Sequence, residues 1–134
     1  MPGKLKFVIA DDDRMTRNVL RMLLHEGYHH IDGEACDGEK ALELCIAHQP
    51  DIAFIDIDMP KLDGHEATKK IRENCKNTQV IVVSSLSTTS NVQQAFQAGA
   101  SAFVVKPFNS NKVNEAIQQC MKKKENALKA GGAH

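Results

Sequence analysis

Four short stretches of this 134-residue chain, 5–10, 52–55, 80–83 and 102–105, are apolar almost throughout and rich in β-branched residues. A strand that is apolar on both faces cannot leave either face in water, so it belongs in a sheet covered on both sides, which is the usual setting of parallel strands. Each stretch is followed by apolar residues at helical spacing. They are Met15, Val19, Met22 and Leu23, then Ala67, Ile71 and Cys75, then Val92, Ala95, Phe96 and Ala98, and last Val113, Ile117, Cys120 and Met121. A more polar strand at 31–36, read as a sheet edge, and a helix marked by Ala41, Leu42, Leu44 and Cys45 complete the alternation. Regular strand–helix cycles predict an α/β domain with a parallel sheet and helices on both faces. Gly27 is expected to end the first helix in the left-handed conformation, and Pro50 and Gly99 to stop the second and fourth. From Lys122 onward, KKKENALKAGGAH loses its apolar period and is expected to fray.

The length and a 42% hydrophobic content suit one domain with one core. Seventeen basic residues balance seventeen acidic ones, with one Tyr and no Trp, so no basic, aromatic-studded surface for nucleic acid is indicated. The amino-terminal apolar run is too short for a signal sequence and no stretch approaches a membrane span, so a cytoplasmic protein is expected. Cys36, Cys45, Cys75 and Cys120 contain no C-x-x-C pair, which argues against a zinc site or a redox dithiol.

The residues that end the strands carry the chemistry. Asp11 and Asp12 follow the first strand, Asp56 the third, Ser84 the fourth and Lys106 the fifth. In a parallel sheet these carboxyl ends share one edge, where ligands of open α/β sheets bind. Carboxylates brought together there repel one another and raise at least one pKa unless a cation joins them. Oxygen-only ligands favour a hard ion such as Mg²⁺, which takes one or two carboxylates and a phosphate oxygen. Asp56, closing the most apolar strand, is the candidate nucleophile for an aspartyl phosphate. Lys106 and the Ser84 hydroxyl are the available donors to phosphoryl oxygens.

The segments FVIADDD, FIDIDMPKLDG, VIVVSS and AGASAFVVKPF, in this order and spacing, resemble the receiver domain of two-component response regulators. The resemblance covers residues 4–121 and leaves 122–134 as a helix end and flexible tail. It implies a flavodoxin-like (βα)5 doubly wound sandwich with a five-stranded parallel sheet of order 2-1-3-4-5. It also implies that Asp56 is the phosphoacceptor, and that Asp11, Asp12, Asp56 and the backbone carbonyl of Asp58 hold Mg²⁺, for which Mn²⁺ could substitute. Ser84 and Phe103 stand at the two switch positions and Lys106 at the family's lysine, before a cis peptide to Pro107. The donor would be a sensor histidine kinase or a histidine phosphotransfer protein. The response would be a shift of the surface made by the fourth helix, fifth strand and fifth helix, toward an unnamed downstream protein. Such a module is not an enzyme beyond its own phosphotransfer and dephosphorylation. It needs neither nucleic acid nor membrane, and is a monomer or a phosphorylation-dependent dimer.

Two other readings share parts of the pattern. Asp56-x-Asp58 after an apolar strand matches aspartate-nucleophile phosphatases of the haloacid dehalogenase type, although these carry the motif on their first strand in a longer chain. A flavodoxin-like electron carrier has the same architecture, but a flavin phosphate is repelled by Asp11, Asp12 and Asp13 in the first loop. Nothing after the last helix looks able to form an output domain, so a stand-alone module is preferred to the amino-terminal piece of a longer regulator. Asp13 reads as a helix cap, Asp63-Gly64 as a turn, His29-His30 as an exposed turn and Lys122 to Lys124 as a solvated helix end.

Overall fold

The computed structural model describes residues 5–132, with side chains to residue 127. The expected start of the domain at Lys4 and the last two residues lie outside the described residues. The elements run β1 (Lys6–Ala10), α1 (Arg14–Glu26), β2 (His30–Ala35), α2 (Gly38–His48), β3 (Ile52–Asp56), α3 (Gly64–Asn74), β4 (Gln79–Ser84), α4 (Thr89–Gln97), β5 (Ala102–Val105) and α5 (Ser110–Gly132). The five strands form one sheet in the order β2-β1-β3-β4-β5, and every adjacent pair is parallel. This is the flavodoxin-like order, and its reversal point lies between β1 and β3.

Alternation along the strands divides the core in two. Val8, Ala10, Ala53, Ile55, Val80 and Val82 face Ala41 and Cys45 of α2, Ala67 and Ile71 of α3, and Ala95 of α4. Phe7, Ile9, Ile52, Phe54, Ile81 and Val83 face Leu20 and Leu24 of α1 and Val113, Ile117 and Cys120 of α5. The central strands are therefore buried on both faces, as their composition requires. Helix starts follow from short polar side chains: Asp13, Asp37, Asp63 and Thr88 each accept a backbone N–H of the turn they open.

Four local expectations are corrected. In α1 the core contact is made by Leu20 and Leu24, whereas Met15 and Met22 are 70% and 61% exposed. The helix carries two apolar stripes, and its rotation agrees with Arg17 and Arg21, which reach Glu34 of the edge strand β2 at 3.4 and 2.7 Å. Gly27 has φ −85°, and the left-handed residue is Tyr28, at φ 63°. His29 is not a free turn residue: its Nδ1 accepts the Leu5 N–H at 3.2 Å and its ring packs on Phe7.

The fourth correction concerns the carboxyl-terminal segment. The helix does not fray at Lys122 but continues to Gly132. Lys123 Nζ donates to the Ser101 carbonyl at 2.8 Å and lies 5.0 Å above the Phe96 ring, while Lys124 Nζ is 3.3 Å from Asp51 Oδ1. These cations bind the helix to α4 and to the segments that lead into β5 and β3, so an apolar period is not needed there.

Candidate functional site

The carboxyl edge of the sheet brings together residues that are far apart in the chain. The Asp11 N–H donates to the Ala35 carbonyl at 3.0 Å and so extends the β1–β2 ladder past the end of β1, which places the Asp11 side chain, 1% exposed, inside the edge. Its Oδ1 accepts the Asp13 N–H at 2.8 Å, and Arg17 Nη1 donates to its carbonyl at 2.7 Å. Asp56 closes β3 and is 4% exposed. One carboxylate oxygen from each of Asp11, Asp12 and Asp56 lies within 4.8 Å of the others. Lys106, directly after β5, points Nζ into this group, 2.8 Å from Asp11 Oδ2 and 3.4 Å from Asp56 Oδ1. Its backbone N–H donates to the Ser84 carbonyl at 2.8 Å, and the peptide bond to Pro107 is cis.

Three carboxylates against one ammonium leave the pocket negative. Burial, and next the charge of Asp11, push the Asp56 carboxyl up to about 6, with Lys106 opposing the rise. Burial alone would lower the Lys106 ammonium, but its hydrogen bond to Asp11 and the charges of Asp56 and Asp11 outweigh it and hold it above the ordinary lysine value. A surplus of negative charge on two buried carboxylates and the exposed Asp12, presented entirely by hard oxygen atoms, is the donor set that suits Mg²⁺ or Mn²⁺.

The other predicted residues surround this group. Ser84 is buried at the end of β4, one residue beyond Val83, which pairs with Asp56, and its Oγ accepts the Leu86 N–H at 3.0 Å. Phe103 pairs with Val82 in the ladder, is half-buried, and packs on the core shared with α2, α3 and α4. It also lines a cleft of 230 Å³ with Lys112, Glu115 and Gln119 of α5. Asp58 is exposed on the loop after β3, and its carboxylate is not part of the three-carboxylate group. A phosphatase of the haloacid dehalogenase type would need that carboxylate at the reacting centre.

A second cleft, of 330 Å³, opens beside Lys106 and is lined by Met15, Thr16, Val19, Ser85, Pro107 and Phe108. The sequence marks Met15 and Val19 only as apolar positions at helical spacing and does not single out Phe108; a helix with more apolar residues than one face can bury is the signal for the cleft. The buried thiols are not poised for chemistry. Burial pushes Cys45 and Cys120 up to about 12 and raises Cys75, so none of the three is a ready nucleophile.

Comparison with known proteins agrees with this geometry. A family model described as the response regulator receiver domain matches residues 7–118. The chemotaxis protein CheY of Thermotoga maritima is 34% identical over 117 residues, covering 87% of this chain and 98% of that protein. The probable transcriptional regulatory protein NarL of Mycobacterium tuberculosis is 36% identical over 122 residues, covering 90% of this chain, and the chain spans 56% of that regulator's length. Among solved structures, the signal receiver domain of the same NarL superimposes with a TM-score of 0.82 at 36% identity, covering 90% of this chain and 98% of that one. CheY in a CheX-CheY-BeF3-Mg complex from Borrelia burgdorferi gives 0.83 at 32% identity, covering 87% and 89%.

Proposed function

The chain belongs to the response regulator receiver family, and from that membership we propose that it accepts a phosphoryl group on Asp56 and passes the event to its α4–β5–α5 face. The observation that carries this reading is the approach of Asp11, Asp12, Asp56 and Lys106 within one edge of the sheet. The family is a signalling domain and not a classical enzyme.

Asp56 is the only carboxylate of the three that ends a central strand, and with its pKa near 6 it is mainly ionised above neutrality and able to attack phosphorus. The P–N bond of a donor phosphohistidine protonated on its other ring nitrogen breaks as the Asp56 oxygen–phosphorus bond forms, so that the imidazole leaves neutral. Asp11, Asp12, the remaining Asp56 oxygen and the Asp58 backbone carbonyl would hold the Mg²⁺ ion. When bound, that ion supplies positive charge to the phosphoryl oxygens. Lys106, already 3.4 Å from Asp56, contributes a second positive charge from a fixed position.

Ser84 Oγ accepts the Leu86 N–H and keeps its own O–H to donate to a new phosphoryl oxygen, so a move of Ser84 toward the modification would draw the β4–α4 loop with it. Space vacated by Ser84 is open to Phe103, two positions back in the adjacent strand's register. The negative charge at Asp56 thereby biases a two-state surface. The cleft that Lys106 lines suits the donor, a histidine kinase or phosphotransfer protein, because it sets a mostly apolar docking surface next to the reacting carboxylate.

Fluorine NMR of the protein with beryllofluoride, which imitates a phosphoryl group on a carboxylate, tests the reading. Bound resonances are expected only with Mg²⁺ present and are expected to be absent in Asp56→Ala. Undiminished bound resonances in that variant would refute the assignment of Asp56.

A further inference from the structure

We propose that Gly38, the first residue of α2, is a positioning residue for the loop that presents the Asp58 carbonyl; the inference rests on the reading of that carbonyl as a cation ligand. Gly38 is buried and belongs to none of the strand ends that form the pocket. A Cβ on it would fall inside the carbonyl oxygen of Leu62 and lie 2.7 Å from that residue's carbonyl carbon and Cβ. The obstructing atoms are backbone, so no change of rotamer relieves the contact. The Gly38 N–H also points at the Pro60 carbonyl at 3.4 Å, and its neighbour Asp37 lies 3.8 Å from the ammonium of Lys61, a residue held at φ 71°. Residues 60–62 are thus seated on the start of α2 by three separate contacts.

The other end of the loop has no slack. A Cβ on Gly64 would overlap the Asp56 carbonyl oxygen, and the Gly64 N–H donates to the Ile57 carbonyl at 2.8 Å. Within the loop the Met59 N–H donates to Ile57 O at 3.2 Å and the Leu62 N–H to Pro60 O at 2.8 Å, while the Met59 side chain is buried in the core. A push on Leu62 from α2 therefore cannot be absorbed at Gly64 and must move residues 58–60. Asp58 lies in the middle of that stretch. In this way α2, which contributes no group to the pocket, sets where one of the pocket's oxygen atoms stands.

The test compares Gly38→Ala with Gly33→Ala in the full chain. At Gly33 an added Cβ would meet only the ends of the Leu44 side chain, at 3.0 and 3.1 Å, which can turn aside. Mg²⁺ affinity is measured by calorimetry, and loop position by amide NMR of the metal-free proteins. Gly38→Ala is expected to bind Mg²⁺ about tenfold more weakly, the scale seen when a residue that orients a metal ligand is changed. Its Asp58 and Met59 amides are expected to shift before any metal is added. Gly33→Ala is expected to bind Mg²⁺ as the unmodified protein does.

Equal affinity in Gly38→Ala, or an equal loss in Gly33→Ala, overturns the proposal. Failure of the unmodified protein to bind Mg²⁺ overturns the cation-site reading itself, and is recognised before either variant is made. Should Gly38→Ala not fold, the unmodified protein decides. Its Gly38 amide is expected to follow the Mg²⁺ titration with the midpoint of the Asp58 amide while Gly33 stays still, and a stationary Gly38 amide overturns the proposal.

Discussion

At the scale of single residues, Asp56 carries a cost that is tied to its use. Burial and the neighbouring Asp11 charge raise its carboxyl from 3.8 to about 6 in the folded chain. Below the unfolded value both states are protonated and the raised pKa has no effect on stability. Between the two values the folded state binds more protons, so stability falls as pH rises, and above about 6 the full penalty of about 3 kcal/mol applies. Asp56→Asn is therefore expected to raise the melting temperature of the metal-free protein at pH 7.5 and to leave it nearly unchanged at pH 3.5. Thermal melts in EDTA at the two pH values check this, and an equal gain at both would show that the ionised carboxylate is not the source. Asp11, Asp12, Asp56 and Lys106 were legible from sequence because each is a polar residue that ends an apolar run. Gly38 was not, since the backbone that makes glycine necessary there belongs to a loop more than twenty positions away.

At the scale of elements, the same contrast separates strands from helices. The central strands declare both faces by composition, and the parallel pairing expected from them is present, in the strand order that the family resemblance implies. α1 declares two apolar stripes and cannot by itself say which is buried; Leu20 and Leu24 take the core, and Met15 and Val19 are left beside Lys106. α5 shows the opposite case, in which lysines that read as solvent-facing hold the helix through long-range contacts. Lys123 joins α5 to the α4–β5 connection through Ser101 and to α4 through Phe96. Lys123→Ala is expected to lower stability by about 2 kcal/mol, the low end of the sum of one charged hydrogen bond and an exposed cation–π contact. Urea unfolding monitored by circular dichroism measures it, and an unchanged midpoint would mean that the helix end contributes nothing to the fold.

At the scale of the whole molecule, the sheet separates two tasks. Its carboxyl edge gathers the charged groups around the point where the strand order reverses, and β5, two strands out from β3, carries Phe103 to the face shared with α4 and α5. In the proposed reading, a charge added at Asp56 would act on that face through β4 and Ser84. Among the described residues no helix is long and apolar enough to cross a membrane. Asp56 is the group proposed to be modified. Intact mass measurement after incubation with acetyl phosphate and Mg²⁺ tests it most directly: one added phosphoryl group is expected, absent in Asp56→Ala and absent when EDTA is present. A phosphoryl group that persists in Asp56→Ala would contradict the account.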